Sequence, residues 1–331
     1  MHSRRRNAVA ALAALLVASP APGFAQPPAR RPRKRVAICT LFVADPSASI
    51  DARQKGWRRA FARHGMNADD VEITLVTPRS ADFVADAAAW TEVARQVVAS
   101  RPDVILVHSV WVHIFASLTR EIPIVFMGMA DPEHHKYIAS ARRPGGNVTG
   151  ALEPFFEIQE KRIALLSELR PAARRIALVW HSGGPYGERV EGAFKATAHR
   201  LGLEPCVVGV PQDSPDVIRG LRECRAEMAD FLWSCDVGAG LFGELTKLGI
   251  ASSFACGIGA VRAGGLLCYL AIDTREIALD ITSRILRGGS VAANPAIQVR
   301  EFRFALNLRT AKALGITVPQ TIRVQVNDLI E

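Results

Sequence analysis

Short apolar runs alternate with amphipathic segments along this chain, and the alternation happens twice. Val36–Leu41, Val71–Val76, Val104–His108 and Ile124–Met127 read as strands, with helices over Ile50–His64, Asp86–Ala99 and Trp111–Arg120. Trp57, Ala60 and Phe61 fall on one face of the first helix. After Gly150 the pattern restarts. Phe155–Leu169, Glu188–Leu201, Asp216–Ala226 and Ala239–Leu248 read as helices between strands at Arg175–Trp180, Cys206–Val210, Asp230–Ser234, Ser252–Phe254 and Leu266–Leu270. Such an order predicts right-handed βαβ units and parallel sheets. The expected fold is therefore α/β, with two lobes, each an open parallel sheet flanked by helices. At 331 residues the chain is long enough for two cores.

The ending departs from the pattern. Thr274–Arg287 reads as a helix, Phe302–Asn307 as a strand, and Leu308–Leu314 as a short helix ended by Gly315. An extra helix and strand after a complete second module imply that the chain crosses back between lobes. Between the modules lies Pro123–Gly150. Its first half is a buried strand opening into a loop at Met127–Asp131. Its second half, Arg143-Pro144-Gly145-Gly146-Asn147-Val148-Thr149-Gly150, reads as a bend, because adjacent glycines tolerate positive φ and proline fixes the approach.

The N-terminus reads as a processing segment. Ser3-Arg4-Arg5-Arg6 precedes an apolar stretch, Ala8 to Ser19, and Gly23-Phe24-Ala25 supplies small residues for cleavage. The apolar stretch is shorter than the roughly 20 residues of a bilayer span, so residues 1–25 read as a secretory signal peptide. Arg4-Arg5 leaves the export route open between the general and twin-arginine pathways. No cysteine follows the apolar stretch, which argues against a lipid anchor. Residues 26–35 read as a basic leader. The net charge of +9 is concentrated at this end, where eight Arg and Lys residues and no acid fall within residues 1–35. The rest of the chain is nearly neutral, which excludes the basic patch of a nucleic-acid binder.

Six cysteines follow: Cys39, Cys206, Cys224, Cys235, Cys256 and Cys268. An exported compartment permits disulfides, but no C-x-x-C spacing marks a zinc or redox site. Cys235 and Cys256 end strands expected to be neighbours, so a bridge there and buried thiols both stand open.

Three stretches carry a resemblance to a known family. They are Pro123-Ile124-Val125-Phe126 through Asp131-Pro132, the block Arg143 to Gly150, and Leu306-Asn307-Leu308-Arg309-Thr310-Ala311-Lys312-Ala313-Leu314-Gly315-Ile316 with Pro319. Ala263-Gly264-Gly265-Leu266 is a weaker fourth. The chain resembles the ABC-transporter substrate-binding proteins that include bacterial tryptophan and tyrosine binders. That resemblance implies a type I periplasmic-binding fold with three crossovers. Lobe one would comprise 36–148 with about 271–297, and lobe two 149–270 with about 298–331. It also implies capture of a small ligand between the lobes and delivery to a membrane permease, with no cofactor and no chemistry on the ligand. A monomer in the periplasm is expected. His108-Ser109-Val110-Trp111 departs from the family's Gly, Ser or Thr-rich strand end, which points to a changed pocket.

In open parallel sheets ligands bind beyond the carboxyl ends of the strands. In lobe one those ends put Phe42, His108, Ser109, Trp111, Met129 and Asp131 on the cleft. In lobe two they put His181, Ser182, Tyr186, Asp236 and Cys256 there. Ser109 and Ser182 precede helices and could hold a carboxylate. Asp236 could pair with an ammonium, and Phe42, Trp111 and Tyr186 could pack on an apolar side chain. An amino acid or small aromatic acid would use all three features. For single residues a structural reading competes: Trp111 as core, Asp131 as a turn residue, Asp236 as a helix cap. Gly145, Gly146 and Gly150 are expected at the hinge.

Other functions fit less well. A metal site would draw on His134, His135, His108 and His113, which lack the usual ligand spacing, so no metal is expected. A thiol enzyme would use Cys256 at a strand-to-helix turn, but no partner base is visible. A periplasmic component that presents ligand to a sensor would use the same cleft. A DNA-binding regulator would need a helix-turn-helix domain where the export signal stands.

Overall fold

A computed structural model describes residues 32–40, 49–76, 87–130, 133–180, 187–209, 216–232, 239–255 and 257–331. Among them, strands β1 (Lys34–Cys39), β2 (Val71–Val76), β3 (Val104–His108), β4 (Ile124–Ala130) and β5 (Val148–Glu153) lie in one sheet with β11 (Ile297–Gln298). The order is β11-β5-β4-β3-β1-β2, and every pairing is parallel. A second sheet holds β6 (Arg175–Trp180), β7 (Glu204–Gly209), β8 (Met228–Phe231), β9 (Ala251–Phe254), β10 (Leu267–Ala271), β12 (Phe302–Asn307) and β13 (Asp328–Ile330). Its order is β13-β12-β10-β9-β8-β6-β7. Only β12 runs against its neighbour β10 in this sheet, because the chain re-enters from the first sheet rather than through a covering helix.

Each sheet is buried on both faces, which is why its central strands read as unbroken apolar runs. On the first, α2 (Ala87–Ala99) and α3 (Val112–Leu118) cover one face, packing Trp90, Val97, Val112 and Phe115 on Ile105, Val107 and Phe126. The other face takes α1 (Ile50–Arg63) and α9 (Thr274–Leu286), with Phe61, Leu279 and Ile281 on Ile38, Leu106 and Val125. Ser49 starts α1 by accepting a hydrogen bond from the Ala52 amide at 3.2 Å. On the second sheet, α4 (Phe155–Leu169) and α5 (Gly187–Arg200) bury Ile163, Leu166 and Phe194 against Leu178 and Phe304. The opposite face carries α6 (Asp216–Glu223), α7 (Ala239–Lys247) and α8 (Ile258–Arg262). Two short helices, α10 (Leu308–Ala313) and α11 (Gln320–Arg323), close the chain.

The chain passes between the sheets three times: after β5, between β10 and α9, and between β11 and β12. The three segments are bonded to one another. The Val299 amide donates to the Leu152 carbonyl at 2.8 Å, and the Ile272 amide donates to the Glu301 carbonyl at 3.2 Å. Ala151, Ile158, Ala271 and Val299 form a small core at this junction. The helix that follows β10 packs on β4 and β5, so the second passage returns the chain to the first sheet.

Several boundaries differ from those expected. The stretch expected as a bend becomes a strand from Val148 on, so the first sheet extends to Glu153 rather than ending at 148. Gly150 lies inside that strand, where a Cβ would stand 2.2 Å from the Phe126 carbonyl oxygen. Its glycine is thus required by close strand packing rather than by a bend. Lys34 and Arg35 begin β1 rather than belonging to a leader. The Arg35 amide donates to Asp103 at 2.7 Å, and its guanidinium caps the carbonyls of Ser100 and Arg101. No helix among the described residues is long and apolar enough to cross a membrane.

Candidate functional site

Strand order reverses between β1 and β3 in the first sheet and between β6 and β8 in the second. At such points the outgoing connections diverge and leave a crevice beyond the strand ends. In the first sheet that crevice is bordered by Thr40, His108 and Ser109, and in the second it opens beyond Trp180 and Leu232.

Ser109 starts a 3₁₀ turn, Ser109–Trp111, and is buried. His108 is half-buried, and burial pushes its pKa down to about 4, so the imidazole is neutral at physiological pH. Trp111 faces inward. Its ring lies 3.5 Å from that of Trp90 between centroids, and it is 3% exposed, so it is a core residue of the first lobe. Met129 is likewise fully buried under β4. The expected cluster therefore divides: His108 and Ser109 stand at the strand end, while Trp111 and Met129 back it from the core. Phe42, Asp131, His181, Ser182, Tyr186, Asp236 and Cys256 lie outside the described residues.

Sequence reasoning missed a chain of charged groups where β5 enters α4. Arg162 and Asp230 are buried together, at 2% and 0% side-chain exposure. Arg162 Nε donates to Asp230 Oδ1 at 2.8 Å and Nη2 donates to Oδ2 at 3.2 Å, a bidentate pair. The Ser253 hydroxyl donates to the same Oδ1 at 2.6 Å, and Arg162 Nη1 reaches the Tyr269 carbonyl at 3.5 Å. This network ties α4 to β8, β9 and β10. Next to it, at the last position of β5, stands Glu153. Burial pushes its carboxyl up to about 7, against the opposing pull of the Arg162 charge. An acid inside Ala-Leu-Glu-Pro carries no sequence signal for this; only its place at a strand end and a crossover shows it.

The glycines and asparagines of the signature blocks hold the frame. Asn147 Nδ2 donates to the carbonyls of Thr119 and Ile122, at 3.1 and 2.8 Å, and the Thr149 hydroxyl donates to the Asn294 carbonyl at 2.9 Å. Gly145 has φ +80 in the turn before β5. Asn307 caps α10 by accepting from the Thr310 amide and donates to the Val261 carbonyl.

Elsewhere, a disulfide joins Cys206 on β7 to Cys224 just after α6, with Cα atoms 6.1 Å apart. The groove beside it is lined by Asp216, Arg219 and Glu223, which pair among themselves. Cys39 is buried, and its thiol pKa is raised by desolvation. Among the described residues no group of three His, Cys, Asp or Glu side chains is placed to hold a metal ion.

Comparison with known proteins agrees with this architecture. A tyrosine-binding protein of Clostridioides difficile (strain R20291) is 23% identical over 303 residues, covering 86% of this chain and 81% of its own. A Streptococcus pneumonia domain crystallised with L-Trp superposes with a TM-score of 0.70 at 21% identity, over 90% of this chain and all of that one. A conserved domain protein of Vibrio cholerae gives a TM-score of 0.71 at 21% identity, over 89% of this chain and 99% of its own. The fold is that of the type I periplasmic-binding proteins. The family model for ABC transporter substrate binding proteins matches residues 35–230, and the chain belongs to that family.

Proposed function

We propose that this protein is the exported solute receptor of an ABC importer, and that it captures an amino acid with an aromatic or other apolar side chain. The observation that carries this reading is the kinship, over 86% of this chain, with a tyrosine-binding protein on a fold whose two sheets are joined by three short crossovers. Residues 1–25 are its signal peptide, removed near Ala25. The mature protein works as a monomer in the periplasm and hands its ligand to a membrane permease without altering it.

In this reading the two sets of strand ends form the walls of the cleft. His108 and Ser109 line the first, with Phe42 and Asp131 beside them; His181, Ser182, Tyr186, Asp236 and Cys256 line the second. The lobes close about the crossover junction, and the Gly145–Gly146 turn gives way next to it. Ligand stabilises the closed form by its greater affinity for that form, and the permease recognises the closed surface.

A thermal-shift screen of amino acids and aromatic acids tests this. A true ligand at 100 times its Kd stabilises the protein by about 2.7 kcal/mol, a shift of several degrees. If no amino acid or aromatic acid raises Tm, the ligand class is wrong.

A further inference from the structure

Glu153 closes β5 at the carboxyl end of the first sheet, opposite Ala130 of β4, and the chain leaves for the second lobe at the next residue. Its side chain lies over Gly128. A Cβ there would stand 2.7 Å from Glu153 Oε2 and 3.7 Å from Thr274 Cγ2, so only glycine, here at φ +70, leaves the carboxylate its place. The strand slips register between Phe126 and Met129 at this same point. The carboxylate and the start of α9 thus both border the position of Gly128 on β4.

Among the described residues no group donates a hydrogen bond to this carboxylate. Among the described residues the cation acting on it is Arg162 of α4. That guanidinium has committed its Nε and Nη2 to Asp230 and turned Nη1 to the Tyr269 carbonyl. Thr274, which opens α9 beside the same Gly128 position, brings no charge. The acids of the other two crossovers, Asp273 and Glu301, act on each other. A half-buried carboxylate to which no described residue donates is open to a cationic group that reaches the strand end.

We propose that Glu153 is the cation anchor of the cleft, accepting the α-ammonium group of the captured solute. The inference deepens the proposed function and rests on it. It narrows the ligand to molecules with a protonated nitrogen and excludes desamino acids and neutral sugars as principal ligands. Because Glu153 sits where the chain changes lobes, an ammonium bound there also neutralises a charge at the junction about which the lobes close. Binding an ammonium requires the ionised carboxylate, and burial holds this one at about 7. Affinity therefore falls by about tenfold per pH unit as pH drops below that value.

Isothermal titration calorimetry of the mature protein tests the proposal. The panel comprises L-tyrosine, L-tryptophan, L-phenylalanine, their desamino acids and neutral sugars, measured from pH 5.5 to 8.5 with Glu153→Gln and Glu153→Asp alongside. Expected is amino-acid binding that weakens at least about thirtyfold in Glu153→Gln. Glu153→Asp should recover part of that loss. In the glutamine variant the remaining affinity should be flat in pH, while wild type is steep below 7. Equal affinity of wild type and Glu153→Gln for an amino acid overturns the proposal and leaves the receptor function standing. Wild-type preference for a desamino acid or sugar overturns the proposal and the amino-acid ligand class with it. Binding of nothing in the panel removes the proposal together with an aromatic amino acid as the ligand. Glu153→Gln places no new bulk in the site, and an unchanged circular dichroism spectrum separates lost recognition from lost fold.

Discussion

At the scale of single residues, Gly150 and Glu153 illustrate two uses of one strand. Gly150 serves packing, because its backbone lies against Phe126 with no room for a methyl group. Gly150→Ala should therefore destabilise the first lobe by about 1–3 kcal/mol, measured by urea denaturation. Glu153 and His108 set the pH response of stability in opposite senses. The Glu153 carboxyl is raised from 4.5 to about 7, so the folded state holds a proton that the unfolded state has lost, and stability falls as pH rises through that window. The His108 imidazole is lowered from 6.5 to about 4, so the unfolded state binds the extra proton, and stability falls as pH drops through that window. Between pH 4.5 and 6.5 the two slopes oppose one another. Glu153→Gln should then expose a profile that rises with pH over this range, and His108→Gln one that declines. Thermal melts of both variants across that range check the signs.

At the scale of elements, the second lobe is braced in two ways. The Arg162–Asp230–Ser253 network pins α4 to the middle of the sheet. The disulfide between Cys206 and Cys224 pins the C-terminal end of α6 to the edge strand β7. With its ends 18 positions apart in sequence, that bridge contributes about 3 kcal/mol by restricting the unfolded chain. A Cys206→Ser, Cys224→Ser double variant should melt several degrees lower, and a reducing agent should bring wild type down to match it. Spacing alone did not single out this pair among the six cysteines, because β7 and α6 become neighbours only when the βαβ unit winds. The strands and helices themselves were largely legible, since parallel strands buried on both faces leave unbroken apolar runs. Val148–Glu153 escaped as a strand because Gly150 breaks its run and two glycines precede it.

At the scale of the whole molecule, the crossovers matter most. Three chain segments bonded edge to edge make a narrow junction with a small apolar core, suited to bending while each lobe stays rigid. Saturating ligand should reduce the radius of gyration measured by small-angle X-ray scattering. The motif blocks that made the family legible, Arg143–Gly150 and Leu306–Ile316, hold this frame rather than the ligand. Asn147, Thr149 and Asn307 spend their side chains on backbone carbonyls and a helix cap. That is why a strong signature leaves the ligand undefined.

By itself the sequence determined the α/β class and the doubling of the module, because hydrophobic periodicity and turn chemistry are local properties, and its motif blocks carried the resemblance to the family. Only the tertiary structure decided which charged groups meet. Glu153 and Arg162 share one stretch of chain, whereas Asp230 and Ser253 lie far along it, and they gather only where α4 packs on β8 and β9. Burial and electrostatic neighbourhood, which give Glu153 its character, exist only once the chain has folded.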